Sequence, residues 1–388
     1  MVGFSLHRFY PAIDCCDTRI FDMSVSAKKY RKRPFVKQGI ILETLRQQII
    51  SGDWKPATRI PTREELQDRF GVARTTLQRT LDQLTRDGFV YSRGKLGTFV
   101  ADNPPHLASY ALIFHCTPAD PTWSRFQSAL ANQAVKLERS RPIKVSRYYG
   151  VFESSDSEDY QKLLHDVCAH RLAGLIFTTV PGSVMRQALE ERPDMPRVAI
   201  MLPSPDWQIP AVYPDLRSFV DRALDALLAR GRRRVAVIGQ SMWPTLAGLG
   251  DYFLAGVAKR NMECREYWVQ TADPQSVSSL VHLLMQSEQK SRPDGLIIAD
   301  DNLVENATAG LIKAGVRVPV DVEVIGHCNF PWPVSSVLPL QRLGFDAGKV
   351  MAACMASIDC QRQGVDTPTL VSVPAQFENE QASKSIED

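Results

Sequence analysis

The stretch RFGVARTTLQRTLDQL, residues 69–84, decides the fold of the first part of the chain. Leucines recur in it at helical spacing and form one apolar stripe, at Leu77, Leu81 and Leu84. Arg74, Thr75 and Arg79 fall on the opposite side, with Arg74 at the head of the segment. Because the hydrogen-bond donors of these side chains would not be satisfied in an apolar core, the sequence predicts a helix whose N-terminal end is exposed to a partner.

The residues around this helix predict two further helices and a hairpin. Ile41, Leu45 and Ile49 share one helical face between residues 36 and 50. Thr62 precedes Glu65 by three residues, a capping box that begins a second helix. The apolar segments FVYS and TFVA flank the turn sequence RGKLG and predict two antiparallel strands. Together these elements predict a winged helix-turn-helix over residues 35–101.

The charge of the chain is concentrated near this helix. Residues 28–103 contain 16 Lys or Arg against 8 Asp or Glu, whereas the whole chain has a net charge of only +3. Such asymmetry indicates a polyanion-binding module joined to a domain with another task. The forked side chain of Arg74 matches two acceptors on the guanine edge, and Thr75 and Thr76 suit phosphates or a thymine methyl group. The sequence therefore predicts binding to double-stranded DNA.

The segment from Ile41 to Ala101 resembles the winged-helix domain of the GntR family of bacterial transcription regulators. The resemblance runs through the capping box, the helix with ARTTLQRT at its head and the wing sequence YSRGKLGTFVA. It implies that the head of the third helix contacts DNA and that the wing tip enters the minor groove. The predicted DNA-binding residues are Thr62, Arg63, Arg74, Thr75, Thr76, Gln78, Arg79, Arg93, Gly94 and Lys95.

Three positions depart from the family pattern. Ala73 replaces the usual serine cap, which costs about 1 kcal/mol of helix stability. Glu64 stands where many members carry a phosphate-binding arginine, although Arg63 is adjacent. Gln78 occupies a frequent arginine position, so we expect the preferred operator to differ from those of other members.

The segments that flank this domain lack helical or strand periodicity. Residues 1–34 are expected to be a disordered basic extension. Met23 would be a natural start for a protein of this type, so residues 1–22 are interpreted as either disordered or an artefact of the assigned start site. The cluster KKYRKR within it is either an arm that contacts phosphates or an ordinary charged tail. Residues 102–109, with the paired prolines of DNPP, predict a linker to the next domain.

Residues 110–383 alternate short apolar runs with helical patterns. Seven strands are predicted, at YALIF, IKVSRYY, GLIFT, RVAIM, RRVAVIG, GLIIA and VEVIG. This rhythm is typical of parallel sheets covered by helices. Because about 280 residues exceed one simple doubly wound sheet, the sequence predicts an α/β domain of two lobes with a cleft between them.

The segment 109–383 resembles the effector-binding domain of LacI-type regulators and periplasmic sugar-binding proteins. Together with the winged helix, it is similar to the arabinose-repressor branch of the GntR family. The resemblance implies a hinge crossed three times, a homodimer and a carbohydrate effector in the cleft. Asp301 matches an aspartate of the family's ligand site. Phe253 stands at the position of the family's ligand-binding arginine, which argues against an anionic effector and against a sugar held in the family's usual way.

Ligands of parallel α/β sheets lie beyond the carboxyl ends of the strands. Sugars need flat apolar faces and carboxylate or amide groups, and the strand ends offer both. The predicted effector-binding residues are His115, Trp123, Phe126, Tyr148, Thr178, Met201, Trp243, Asp301, His327 and Asn329. For each aromatic residue, packing in a core or hinge remains an equal alternative.

These features predict a cytoplasmic, homodimeric repressor that binds a palindromic operator and is controlled by a small molecule. A sensor that has lost its ligand and only dimerises is the alternative. Enzymes are disfavoured because no phosphate-binding loop, nucleophile elbow or metal-binding motif occurs, and we expect no cofactor and no bound metal. No signal-peptide pattern or apolar run of membrane-spanning length is found, and the eight cysteines lack a CxxC pair.

Overall fold

The computed structural model describes residues 34–151, 156–180, 182, 185–186, 189, 192–201, 209–240, 248–287, 291–366 and 368–382. The chain forms two compact units. The first contains the described residues up to Pro105 together with residues 165–171, and the second contains the remainder. Apart from Pro34, the predicted N-terminal extension lies outside the described residues.

Three helices and a hairpin build the first unit. They are α1 (Pro34–Ile50), α2 (Arg63–Phe70), α3 (Arg74–Arg86), β1 (Val90–Ser92) and β2 (Thr98–Val100). One core joins them, formed by Ile41, Leu45, Ile49, Ile60, Leu66, Leu77, Leu81, Leu84, Phe89, Val90 and Val100. The winged helix-turn-helix predicted from the sequence is therefore confirmed, with its three leucines of α3 buried.

The turn between α2 and α3 is fixed at both ends of α2. The backbone N–H of Glu65 donates to the Thr62 hydroxyl at 3.3 Å, and the N–H of Thr62 donates to the Glu65 carboxylate at 2.7 Å. The predicted capping box is thus present. Helix α2 ends at Gly71, whose left-handed φ of 59° costs glycine little. The capping box therefore fixes the start of α2, and Gly71 ends the helix before the turn to α3.

A buried ion pair joins α1 to the end of α3. The Arg46 guanidinium lies 3.0 Å from the Asp87 carboxylate, and the two side chains are 7% and 1% exposed. Arg171, from the segment 165–171, pairs with the other oxygen of the same carboxylate. A buried charge is tolerated only when it is paired in this way, so Asp87 has a structural role.

The first lobe of the second unit is a six-stranded sheet. Its strands are β3 (Ser109–Ile113), β4 (Lys144–Tyr148), β5 (Gly174–Phe177), β6 (Arg197–Ile200), β7 (Ala211–Asp215) and β13 (Leu370–Pro374). They lie in the order β13-β7-β6-β5-β3-β4, and all neighbours are parallel. The helices whose bounds the structure describes in this lobe are α4 (Pro105–Ala108), α5 (Arg125–Ser140), α6 (Glu158–Cys168) and α11 (Ala347–Arg362). Apolar residues of α5 and α11 pack against one face of the sheet.

The second lobe repeats this plan. Its strands are β8 (Val235–Gly239), β9 (Val269–Thr271), β10 (Gly295–Ile298), β11 (Glu323–Phe330), β12 (Gln341–Asp346) and β14 (Gln376–Phe377). They lie in the order β14-β12-β11-β10-β8-β9, and only β14 is antiparallel to its neighbour. The helices are α7 (Leu216–Ala229), α8 (Leu249–Lys259), α9 (Val277–Leu284), α10 (Asp301–Lys313) and α12 (Glu378–Ala382). Helices α7 and α8 contribute to one core, and α9 and α10 contribute to another.

The chain crosses between the lobes three times. It crosses from β7 to α7, from β12 to α11, and from β13 to β14. An aspartate caps the new helix at the first two crossings: Asp215 accepts from the N–H groups of Arg217 and Ser218, and Asp346 accepts from those of Gly348 and Lys349. The two-lobed α/β fold and the three crossings implied by the resemblance are both present.

All seven strands predicted from the sequence are strands in the structure. Five further strands were not predicted, namely β7, β9, β12, β13 and β14. These strands lack a continuous apolar run: β7 contains Pro214, and β9 and β13 are mostly exposed or half-buried. Within the described ranges, no helix has the length and apolar character needed to span a membrane.

Gly344 allows β11 and β12 to approach each other closely, which gives a test of the fold. A Cβ atom at Gly344 would lie 1.8 Å from the backbone oxygen of Cys328. Since backbone in the middle of a sheet cannot move aside, we expect Gly344→Ala to lower the free energy of unfolding of the second unit by about 3 kcal/mol or more. Urea denaturation followed by circular dichroism measures this change.

Gly326→Ala is the matched control on the neighbouring strand β11. Its added Cβ would lie 3.3 Å from Leu340 Cδ1, a side-chain atom that can shift. We therefore expect a much smaller loss of stability. Equal losses in the two variants would contradict the close approach at Gly344.

Candidate functional site

The N-terminal turn of α3 is exposed and lacks a side-chain cap. Ala73 holds the N-cap position, and its side chain makes no capping hydrogen bond. Arg74 and Thr75, the first two residues of α3, are both exposed. Because the first N–H groups of a helix have no intrahelical partner and lie at the positive end of its dipole, this turn is suited to binding an anion.

The exposed face of α3 continues this surface. Arg79 is exposed one turn after Thr75, and Thr76 and Gln78 are half-buried beside them. The Gln78 amide donates to the Asp82 carboxylate at 2.7 Å, which orients it along the helix. Within the part of the chain that the structure describes, neither the Arg74 nor the Arg79 guanidinium forms a hydrogen bond or ion pair. Both groups are available to a partner.

The wing presents two cations in different ways. The Arg93 guanidinium lies 5.1 Å from the ring centre of Tyr91 and 5.2 Å from that of Phe99, and these cation–π contacts orient it. Lys95 is exposed in the 3-10 turn Gly94–Leu96 and has no such support. Sequence reasoning identified Arg93 and Lys95 but missed the aromatic pair. The signal was available, because Tyr91 and Phe99 flank the turn at paired positions of the hairpin.

The start of α2 adds one more cation. Arg63 and Thr62 are both exposed. The hydroxyl and N–H of Thr62 are engaged with Glu65, and the hydrogen bond from the Thr62 backbone holds the pKa of the Glu65 carboxyl below its usual value. Thr62 therefore sets the start of the helix, whereas the Arg63 side chain is the charged group of this turn.

The first unit thus offers exposed hydrogen-bond donors on two elements, α3 and the wing. Arginine and lysine donors together with helix N-terminal N–H groups are the contacts that proteins use for phosphates. A helix of this size fits the major groove, where an exposed arginine reads guanine. The chemistry of this surface suits double-stranded DNA.

The second unit contains a cavity of about 290 Å³ between its lobes. This volume lies at the small end of the range for small-molecule sites, roughly 300–1,000 Å³. The cavity is lined by Ser124, Phe126, Pro214, Leu216, Gln240, Ala299, Asp300, Asp301, Asn302, His327, Asn329 and Phe345. Gln240 follows β8 and Ala299 follows β10, so the cavity lies at the carboxyl ends of parallel strands, as expected for this type of sheet.

A buried polar cluster lies in this cavity. The Asn329 amide donates to the Asp301 carboxylate at 2.6 Å, and these residues are 1% and 3% exposed. His327 Nδ1 lies 3.9 Å from the other Asp301 oxygen, which is too far for a hydrogen bond. Neither His327 Nδ1 nor Asn329 Oδ1 has a hydrogen-bond partner among the described residues. Because buried polar atoms are nearly always paired, these two atoms indicate a ligand position.

The electrostatics of the cluster are set by burial. Burial raises the pKa of Asp301 to about 6, although the Asn329 amide and the charge of Arg125 lower it. Burial also raises the pKa of Asp300 and lowers the pKa of His327 to about 4. His327 is therefore neutral at pH 7, whereas Asp301 is mostly ionised. The described residues of the cavity lining include carboxylates but no Lys or Arg.

Four of the predicted effector residues line this cavity: Phe126, Asp301, His327 and Asn329. Five others lie elsewhere in the second unit, namely His115, Trp123, Tyr148, Thr178 and Met201. The tenth, Trp243, lies outside the described residues. The structure therefore places the predicted polar residues of the second lobe together in the cavity. Of the predicted residues of the first lobe, only Phe126 lines it.

The residues outside the cavity lining have packing or backbone contacts. The Trp123 indole donates to the Ser128 hydroxyl at 2.7 Å, and its ring packs 4.9 Å from that of Phe114. Tyr148 is fully buried. The Thr178 hydroxyl donates to a backbone oxygen of β3 at 3.0 Å. Trp123 and Tyr148 therefore pack against neighbouring residues, in agreement with the alternative to ligand binding.

Sequence reasoning missed Asp300 and Asn302. Asp300 caps α10, and its carboxylate accepts from both the backbone and the amide of Asn302 at 2.8 Å. The backbone N–H of Arg125 donates to the Asn302 oxygen at 3.1 Å, a contact from the first lobe to the second. The signal was the run of two aspartates directly after the apolar segment GLIIA. The sequence prediction includes only the second of them, Asp301.

Two sequence profiles match the chain. The profile of bacterial regulatory proteins of the gntR family matches residues 38–100, and that of the periplasmic binding protein-like domain matches residues 224–377. The chain is 26% identical to the HTH-type transcriptional regulator GntR of Pseudomonas aeruginosa, over 58% of this chain and 68% of that protein. It is 21% identical to the arabinose metabolism transcriptional repressor of Halalkalibacterium halodurans, over 82% of this chain and 89% of that protein.

A solved structure with the same fold covers the two-lobed unit. It is a LacI family transcriptional regulator from Arthrobacter sp. FB24 in complex with lactose, with a TM-score of 0.53 and 15% identity. The match covers 70% of this chain and 97% of that one. It supports the LacI-type fold.

The raised pKa of Asp301 predicts a dependence of stability on pH. Because the folded state holds the proton more tightly than a free carboxyl, the free energy of unfolding falls as the pH rises from about 4 to about 6. Asp301→Asn removes this ionisation and keeps an oxygen for the Asn329 amide. We expect it to stabilise the second unit little at pH 4 and by up to about 3 kcal/mol at pH 7.5. Thermal unfolding at both pH values measures the difference.

Asp321→Asn is the control for this experiment. Hydrogen bonds from Arg317 lower the pKa of Asp321 to about 2, so its removal should not stabilise the protein at pH 7.5. If Asp301→Asn raised the free energy of unfolding equally at both pH values, ionisation of Asp301 would not destabilise the folded protein.

Proposed function

We propose that this chain, which combines a GntR-type helix-turn-helix domain with a LacI-like two-lobed domain, is a transcriptional repressor. It binds a specific operator through the first unit, and a small molecule in the cavity of the second unit controls that binding. The observation that carries the proposal is the exposed, uncapped head of α3, where Arg74 has no partner among the described residues. The match to the gntR profile over residues 38–100 supports it.

In this proposal α3 reads the major groove. Arg74 donates to a guanine edge, since its fork matches two acceptors there. Thr75, Thr76 and the N-terminal N–H groups of α3 hold phosphates, and Gln78 and Arg79 extend the contact along the groove. The wing, with Arg93, Gly94 and Lys95 at its tip, follows the adjacent minor groove. Thr62 and Arg63 contact the backbone from the start of α2.

The effector acts in the cavity between the lobes. A ligand that binds Asp301, Asn329 and His327 in one lobe and Phe126 in the other favours the closed arrangement of the lobes. We propose that the protein acts as a homodimer that binds two half-sites about one helical turn apart, so that a small change in their spacing prevents simultaneous contact. The arabinose repressor and the lactose-bound regulator among the similar proteins favour a carbohydrate effector.

The unpaired polar atoms of the cavity favour a working sensor over one that only dimerises. A degenerate cavity would be expected to fill with apolar side chains, since buried His327 Nδ1 and Asn329 Oδ1 without partners cost stability. Their retention together with Asp301 is consistent with a ligand that completes their hydrogen bonds.

Two substitutions separate base reading from phosphate binding. We expect Arg74→Ala to lose about 1 to 3 kcal/mol at the operator and to broaden its sequence preference. Lys95→Ala should weaken binding to operator and random DNA alike and reduce the slope of log affinity against log salt by about one. Fluorescence anisotropy at several salt concentrations measures both effects.

Glu64→Gln serves as a control on the neighbouring helix, because it removes an exposed negative charge without adding a donor of the arginine type. It should not broaden the sequence preference. If Arg74→Ala kept full selectivity, α3 would not read bases through this residue.

Selection of bound fragments from random DNA, with and without a panel of sugars, tests the whole proposal. We expect one enriched motif with two-fold symmetry and its loss in the presence of an effector. Enrichment of no sequence at low salt would reject the DNA-binding function. A motif that is enriched equally with every compound would reject control by these ligands and favour the sensor that only dimerises.

A further inference from the structure

We infer that the ligand of the cavity carries a protonated amine, and the geometry fits an amino-substituted polyol no larger than an amino hexose. This inference rests on the proposed function, because it names the chemical class of the molecule that the cavity senses. It goes beyond that function in giving the effector a positive charge.

The hydrogen-bonding groups of the cavity call for a donor-rich ligand. Since the Asn329 amide nitrogen donates to Asp301, the group that Asn329 leaves unpaired is its oxygen, an acceptor that is almost completely buried. The carboxylate of Asp301 lies beside it. Asp300 is already occupied in part by Asn302, and it adds a second carboxylate to the lining. A ligand that bears N–H and O–H groups satisfies these acceptors.

The charge of the cavity distinguishes a cation from a neutral polyol. Among the residues that the structure describes, the lining includes Asp300 and Asp301 but no Lys or Arg. Arg125, whose charge reaches Asp301, is engaged with Glu305 at 3.2 Å. A buried carboxylate without a counterion is costly, and a ligand ammonium would supply that counterion, whereas an anionic ligand would add repulsion.

The remaining walls limit the size and shape of the ligand. Phe126, Leu216 and Phe345 give the cavity an apolar side opposite its acceptors. A volume of about 290 Å³ accommodates a single six-membered ring. A saturated ring with an amine and hydroxyl groups on one side and C–H groups on the other matches both walls.

A titration of the full chain with matched hexoses tests this inference. The probes are glucosamine, galactosamine and mannosamine, their neutral parent sugars, their N-acetyl derivatives, and glucuronate and galacturonate. We expect at least one amino hexose to bind about tenfold more tightly than its parent and its N-acetyl derivative, since a charge-assisted hydrogen bond is about twice as strong as a neutral one. The uronates should not bind. Isothermal titration calorimetry gives each dissociation constant.

Two variants and a change of pH show whether the carboxylates cause the preference. Asp301→Asn keeps the size and an acceptor but removes a charge, so the preference for the amine should fall, with only Asp300 left as a carboxylate in the lining. Asp321→Asn, which lies outside the lining, should retain the preference. Affinity for the amine should also rise from pH 5 to pH 7, as Asp301 loses its proton. The titratable and charged groups that bear on this dependence are Asp300, Asp301, His327, Arg125 and Glu305.

The outcomes separate this inference from the function on which it rests. If a neutral sugar or a uronate binds as tightly as its amino counterpart and releases the operator, the inference is wrong and the proposed function stands. If no hexose of any charge binds the full chain and none changes operator binding, both the amine and the control by a hexose-sized effector are rejected.

Discussion

The three passages of the chain between the lobes of the second unit determine where a ligand can lie. Parallel strands end at the same edge of each sheet, and the passages after β7 and β12 leave from that edge. Pro214 and Leu216, which flank the first passage, line the cavity, and Asp215 between them caps α7. The residues that connect the lobes therefore also border the ligand position. A change in lobe separation has to be absorbed at these few residues, next to whatever occupies the cavity.

Two buried carboxylates in this chain have opposite surroundings. Asp87 in the first unit is enclosed by Arg46 and Arg171, so its charge is fully compensated. Asp301 in the second unit has an amide as its side-chain hydrogen-bond partner, and burial raises its pKa to about 6. In the first arrangement, removal of either arginine would leave a buried charge without full compensation. The second reduces stability, and such departures from good packing chemistry are concentrated at sites that bind or react.

Much of the fold could be predicted from the sequence, because the periodicity of apolar residues directly encodes burial. This holds for the leucine stripe of α3 and for the seven predicted strands, all of which run through cores. Apolar periodicity does not identify β7, β9 and the last three strands. These strands lack a continuous apolar run, and they are strands because they pair with neighbouring strands of the sheet. The site was harder to predict. Strand ends identified Asp301, His327 and Asn329, but only the fold reveals that Trp123 and Tyr148 pack with neighbouring residues, and only the crossing brings Leu216 to the cavity.

The support that Tyr91 and Phe99 give to Arg93 has a consequence for how the wing would meet a duplex. Side-chain rotational freedom that is lost during folding is not lost again on association, so a held arginine pays little entropy when it enters a groove. Lys95 keeps its freedom until it meets a phosphate. The wing therefore combines two kinds of cation. The fixed guanidinium of Arg93 fits only a groove of suitable width and depth, whereas the flexible Lys95 side chain can reach a phosphate in grooves of different shape. A duplex with a narrow, strongly negative minor groove beside the half-site would be favoured without any base being read there.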